Sequence, residues 1–404
     1  MGDRQAAMGP HVDRAMPEQS AGLPDPAREK YYRLALISDA IHLKDPRLEG
    51  ADVLVMSTDW LAVQFARDQN VACVHFETAL RASQMFTPNS KTHFIQSMAW
   101  LYEGDEDMSL VEGISIGSLI GHVVPSVAHA IERMWTAVEY LVSTYEPNEM
   151  LLFDVRSEFN RLDEISKVSI VAAIAEKHSL RFIDVNQRID TEANFQNMTM
   201  KLPSPSDLWS DNGWLREPYC RLLDGLFRVI QIFRTRGRRV FLHHNGLYID
   251  CLLESLQRSD VQPFLLASIN PKQPADVLRY IRIGAALAYV PRTRLSRGEA
   301  AEVAACVARV IKAVDIRGDL KSPSGILADF IRRRLVSEGL WVALAEMAKS
   351  VRNMLRRVRP DRIVVGDSEA FLSRILLEAA AAESIPCDEF LNGMFMLPQK
   401  FDAR

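Results

Sequence analysis

The residues best placed to do chemistry are His243 and His244, which close the apolar run RRVFLHH and are followed by Asn245, Gly246 and a helical segment from Tyr248. An imidazole titrates near neutrality, so at a strand tip it can act as a general base or grip a phosphate. The pair also fits a plainer assignment, with one ring turned into the core and the other capping the next helix. Gly366-Asp367-Ser368 ends a second such run, RIVVGD. Asp367 or Ser368 can cap the helix that follows, and the free amides of that helix start can hold an anionic group. Asp154 takes the equivalent place at the end of EMLLFD. A third candidate is Gly113-Ile114-Ser115-Ile116-Gly117-Ser118, where Gly113 and Gly117 stand four apart and Gly121 continues the spacing. Glycine lets a backbone approach a phosphate closely, and close helix packing calls for the same spacing. No Gly-Lys-Ser/Thr closes the segment, so it is not a P-loop.

Other chemistries are excluded or weak. Asp105-Glu106-Asp107 has the form of a paired-carboxylate metal site, but it follows no apolar strand and Glu103 and Glu112 flank it, so a solvated loop is expected and no metal. No nucleophile elbow and no GxGxxG after a strand is present, which argues against a hydrolase triad and against NAD or FAD; no cofactor is expected. The five cysteines (Cys73, Cys220, Cys251, Cys306, Cys387) form no metal-ligand spacing and read as reduced thiols. With a net charge of −4 the chain has no field to draw in nucleic acid, and none is expected as a partner. Between 330 and 362 stand nine basic residues and three acidic ones, beginning at Arg332-Arg333-Arg334. Such a run fits a solvated face, and is also a candidate for holding a nucleotide diphosphate or for peripheral contact with an anionic, inner-membrane surface.

Those residues need elements to carry them. Apolar runs of five to six residues recur at 33–38, 52–57, 72–76, 149–154 and 181–185, then at 238–244, 263–268, 286–290, 362–367 and 386–390. Short continuous apolar runs alternating with amphipathic segments predict buried parallel strands in βαβ units. The expected fold is α/β: two Rossmann-like lobes, each a parallel sheet flanked by helices, related by internal duplication. The duplication reading rests on EPNEMLLFD (146–154) against RPDRIVVGD (359–367), which pair Pro147 with Pro360 and Asp154 with Asp367. Gly113 and Gly318 are each expected to open the long helix upstream. The expected divisions are a disordered tail over 1–28, a first lobe over 29–190, a proline-broken linker over 191–218 and a second lobe over 219–404. The longest apolar run, IGAALAYV at 283–290, is under half a membrane span, and the tail lacks a signal-peptide core, so a cytoplasmic chain is expected.

The Gly113–Gly117 segment and the unit RPDRIVVGDSEAFLSRILLEAAAAESIPCDEFLNG resemble bacterial surface and capsular polysaccharide glycosyltransferases of the two-lobed GT-B arrangement. The resemblance covers about 110–183 and 355–395, and Ser118-Leu119-Ile120-Gly121 departs from the family's Tyr-Asp after the second glycine. It implies transfer of a sugar from a nucleotide-activated donor to a saccharide or lipid-linked acceptor. His243 or His244 would be catalytic, and Gly113, Gly117, Ser118, Asn245, Asp367, Ser368, Asn392 and Gly393 would bind substrate. It further implies that the chain is the acceptor-side region, with Met394 to Leu397 facing a further domain or partner chain at the C-terminus. A non-catalytic Rossmann-like module that docks a partner protein or a membrane surface is the alternative.

Overall fold

The computed structural model describes residues 23–83, 99–121, 123–153, 162–185, 216–233, 237–243, 252–253, 260–266, 274–315, 321–366 and 371–389. The chain divides into two compact units, one of Met1–Thr87, Arg133–Phe159 and Ile174–Gln187, the other of Pro88–Glu132, Asn160–Ala173 and Arg188–Arg404.

Every apolar run read as a strand is one. In the first unit β1 (Arg33–Ile37), β2 (Val53–Ser57), β3 (Cys73–His75), β4 (Glu149–Leu152) and β5 (Arg181–Asp184) form one sheet. All its pairings are parallel, in the spatial order β3-β2-β1-β4-β5. In the second unit β6 (Arg238–His243), β7 (Val261–Leu266), β8 (Ala286–Ala288), β9 (Arg362–Val365) and β10 (Cys387–Glu389) repeat that plan as β8-β7-β6-β9-β10. Chain order reverses between β1 and β4 and again between β6 and β9, which gives each sheet the switch point of a Rossmann-like fold. Burial on both faces explains the unbroken apolar runs. Ala35, Ile37, Val53 and Val55 pack with Ala62 and Ala66 of the helix Trp60–Asp68 and with Leu151 and Phe153 in one buried cluster.

The lobes match in detail as well as in order. Glu146 and Arg359, each just before a proline, both adopt left-handed backbone (φ 46° and 52°) after a long helix. Their amides donate to Val142 and Leu355 four residues back, at 2.9 and 2.7 Å. Ser179 and Ser384 are left-handed at the end of the following helices, and Leu180 and Ile385 then donate to Ala175 and Ala380. Asn70 and Gly284 repeat the device before β3 and β8. Left-handed caps satisfy the last carbonyls of a helix, and here they reverse the chain into a strand at three matched places. In register, Leu36 stands opposite Leu152 and His243 opposite Val365, and the amides of Phe153 and Gly366 donate to Leu36 and His243. Asp154 and Asp367 are the next residues in each chain segment; both lie outside the described residues.

One expectation fails. Gly113 does not open a helix: Leu110–Val111 pairs antiparallel with Ile114–Ser115, and Glu112 (φ 48°) and Gly113 (φ 80°) make the two-residue turn between them. Two consecutive positive φ angles mark a type I′ hairpin turn, which matches the twist of the flanking strands. The helix begins three residues on, at Ile116. Gly318 lies outside the described residues. A second hairpin pairs Tyr102–Glu103 with Glu106–Asp107, so the Asp105-Glu106-Asp107 segment is its turn and returning strand.

Candidate functional site

In the second sheet His243 is the last residue of the central strand β6 and is buried, 5% exposed. The strands that lead to Asp367 and Asn392, β9 and β10, follow β6 consecutively in the sheet. His244, Asn245, Asp367, Ser368, Asn392 and Gly393 lie outside the described residues, as do Met394 to Leu397. His243 is thus the one strand-tip residue of this set with a described position.

The glycine segment is built for packing. A Cβ on Gly117 would meet Leu101 Cδ2 at 2.1 Å and Ser109 Oγ at 2.8 Å, and the Gly117 amide donates to Ser109 Oγ at 3.0 Å. Both the space and the donor that a phosphate would use are taken. Asp107 accepts from the amide and hydroxyl of the fully buried Ser109, each at 2.7 Å. Ser118 Oγ lies 3.0 Å from the Ser115 carbonyl and within hydrogen-bond distance of Glu378 Oε1. A hydroxyl carries one proton, so Ser118 donates to one acceptor at a time, the Ser115 carbonyl or the Glu378 carboxyl. Burial pushes the Glu378 carboxyl above its ordinary range, and Asp107 adds to the effect against the contributions of Ser118, Ser115 and Arg374.

Eight of the nine basic residues of the run at 330–362, all but Arg359, stand in ion pairs among the described residues. Arg332 bonds Asp329, Lys349 bonds Glu299, Arg352 and Arg356 share Glu383, Arg357 bonds Asp224, and Arg362 bonds Asp388. Arg333 and Arg334 converge on Asp163, at 2.7 and 3.0 Å, from a π-helical turn over Ile331–Leu335. Asp163 is fully buried and caps the helix Glu164–Lys177 by accepting from the Ser166 amide. Burial alone would raise its pKa, but Arg333, then Ser166 and Arg334, hold it below the usual carboxylate range. Paired in this way, the run is not a free cationic face. Among the described residues no group of three or more His, Cys, Asp or Glu could hold a metal ion. Cys73, Cys220, Cys306 and Cys387 are free thiols, and Cys251 lies outside the described residues.

The carboxyl edge of the first sheet also gathers polar side chains. Among the described residues, the buried polar side chains of this unit are Ser38, Ser57, Thr58 and His75, all at the ends of the adjacent strands β1, β2 and β3. Buried polar groups cost free energy unless bonded, and their gathering at the edge where α/β sheets bind ligands is informative. His75 Nδ1 accepts the Glu77 amide at 3.1 Å and Nε2 lies 3.3 Å from the Thr58 carbonyl. Those partners fix the tautomer with hydrogen on Nε2, and burial lowers the pKa, so the ring is neutral. Trp60 stacks on it with ring centroids 3.6 Å apart and planes 9° from parallel. Glu77 pairs with Arg133, whose guanidinium also lies over Phe76. The missed signal was available: ACVHF carries His75 at the last position of its strand, as RRVFLHH carries His243, and Trp60 follows the N-cap Asp59.

No family model, curated protein or solved structure matches the chain.

Proposed function

We propose that the chain is a glycosyltransferase-like protein of surface-polysaccharide biosynthesis, transferring or helping to transfer a sugar from a nucleotide-activated donor to a saccharide or lipid-linked acceptor in the cytoplasm. The observation that carries this reading is the pair of parallel sheets with one strand order, each with a switch point at its carboxyl edge. His243 ends the central strand of the second sheet beside that switch point, where it acts as base or phosphate ligand in direct displacement at the sugar carbon. Helix-start amides on the strand-tip loops stabilise the departing diphosphate. No helix among the described residues is long and apolar enough to cross a membrane, in keeping with a chain that works outside the bilayer core. The test is a thermal-shift panel of UDP-, CMP- and CDP-linked sugars, with turnover measured for the wild type and for His243→Asn. A concentration-dependent rise with one nucleotide class, and turnover lost in the variant at unchanged stability, supports the reading.

A second observation favours the non-catalytic alternative. The helix Arg216–Phe233 buries Cys220, Leu223 and Phe227 yet exposes Tyr219, Leu222, Leu226 and Val229. Those four follow a three-four spacing along one stripe, the pattern of a helix that packs a partner. A flat response across the nucleotide panel, with a partner protein or membrane surface captured through this stripe and lost in Leu222→Glu, selects the docking module instead.

A further inference from the structure

Trp60 opens the helix Trp60–Asp68 just past the end of β2 and is 52% exposed, whereas the His75 ring beneath it is 2% exposed. A half-exposed tryptophan would ordinarily sample several rotamers. This one is pinned, because the imidazole under it is locked by the Glu77 amide on one nitrogen and the Thr58 carbonyl on the other. One indole face rests on His75, and about half of the residue is exposed. Among the described residues none accepts from the indole N–H, although such groups are usually bonded. The charged groups acting on His75 are Glu77, Asp59 and Arg81. Asp59 caps Leu61 through Oδ1 and Glu77 pairs with Arg133 through Oε1, and both carboxylates act on the His75 ring under the indole. Leu61 is exposed next to the indole.

We propose that Trp60 is the stacking platform of a saccharide-binding site at the carboxyl edge of the first sheet, taking an uncharged pyranose ring on its outer face. The C–H groups of a pyranose meet the negative face of the indole, and ring hydroxyls are answered by the indole N–H and the carboxylates of Asp59 and Glu77. A preorganised ring loses little rotamer entropy on binding. The same carboxylates repel the phosphates of a nucleotide, so a neutral sugar fits where a nucleotide does not. The site stands apart from the transferase reading, since it requires no donor and no turnover.

The experiment is saturation-transfer NMR on the full chain with cellotriose, chitotriose and maltotriose, and with uridine as the planar, uncharged comparison. At least one trisaccharide is expected to receive saturation, with a dissociation constant roughly in the millimolar range. Trp60→Ala abolishes the transfer while its circular dichroism matches wild type, and Trp60→Phe, which keeps a ring, retains part of it. Transfer to none of the three sugars, transfer that survives Trp60→Ala, or Trp60-dependent transfer to uridine in place of sugar overturns the site. Because no nucleotide sugar is present, failure here leaves the thermal-shift result on the donor intact, and the reverse also holds.

Discussion

At the scale of single residues, two carboxyls with opposite shifts, the buried Asp163 and the part-buried Glu378, make opposite predictions. Asp163 is held ionised by Arg333 and Arg334, so its contribution to stability is present above its unfolded pKa and lost as pH falls through the lower folded value. Asp163→Asn leaves two arginines facing an uncharged group in a buried place. Removing one partner of a buried pair costs about 3–5 kcal/mol, and urea denaturation at pH 7 reads the loss. Glu378 shifts the other way. Its protonated form is favoured in the fold, so its stabilising effect is present below the unfolded pKa and disappears as pH rises through the raised folded value. Glu378→Gln keeps an acceptor oxygen for Ser118 without the charge. Its denaturation midpoint is expected to exceed wild type at pH 8 and to converge with it at pH 4; a constant difference across that range refutes the upward shift of Glu378.

At the scale of elements, the glycine segment separates turn geometry from packing. Gly113→Ala adds a Cβ in open space, so its cost is the left-handed backbone alone, roughly 1–2 kcal/mol. Gly117→Ala drives a Cβ into Leu101 and Ser109 and breaks the hydroxyl bond that orders the helix start, and overpacking adds about 1–3 kcal/mol to that loss. Thermal melts should therefore rank Gly117→Ala below Gly113→Ala. Equal melting temperatures would mean that the glycines are not there for packing. Sequence spacing read both glycines as one feature because a period of four suits a helix. The hairpin at 110–115 escaped notice because its strands are two residues long and carry no alternation for periodicity to detect.

At the scale of the whole molecule, the repeated plan predicts a repeated stability profile. β1 and β6 are central in their sheets, while β5 and β10 are edges with no fully buried residue. Native-state hydrogen exchange follows local opening, so amides of β1 and β6 should exchange slowest and those of β5 and β10 among the fastest strand amides. Protection that is high in β5 but low in β10 would break the equivalence of the lobes. Their shared strand order and three matched left-handed helix ends support descent from one duplicated unit.

The sequence by itself determined the strands, their parallel pairing class and the equivalence of 146–153 with 359–366. A strand buried on both faces must be apolar at every position, and a left-handed cap followed by proline is a local event that a short segment can encode. It also marked His243 as a strand-tip residue. What only the tertiary structure decided was which charges are free. The arginines from 332 to 362 look like a cationic face along the chain, but their carboxylate partners lie as far away in sequence as Asp163 and Asp224, beyond any local pattern. Nor could spacing place Trp60 on His75, because those residues meet only when β2 and β3 pair side by side and bring their ends to one edge of the sheet.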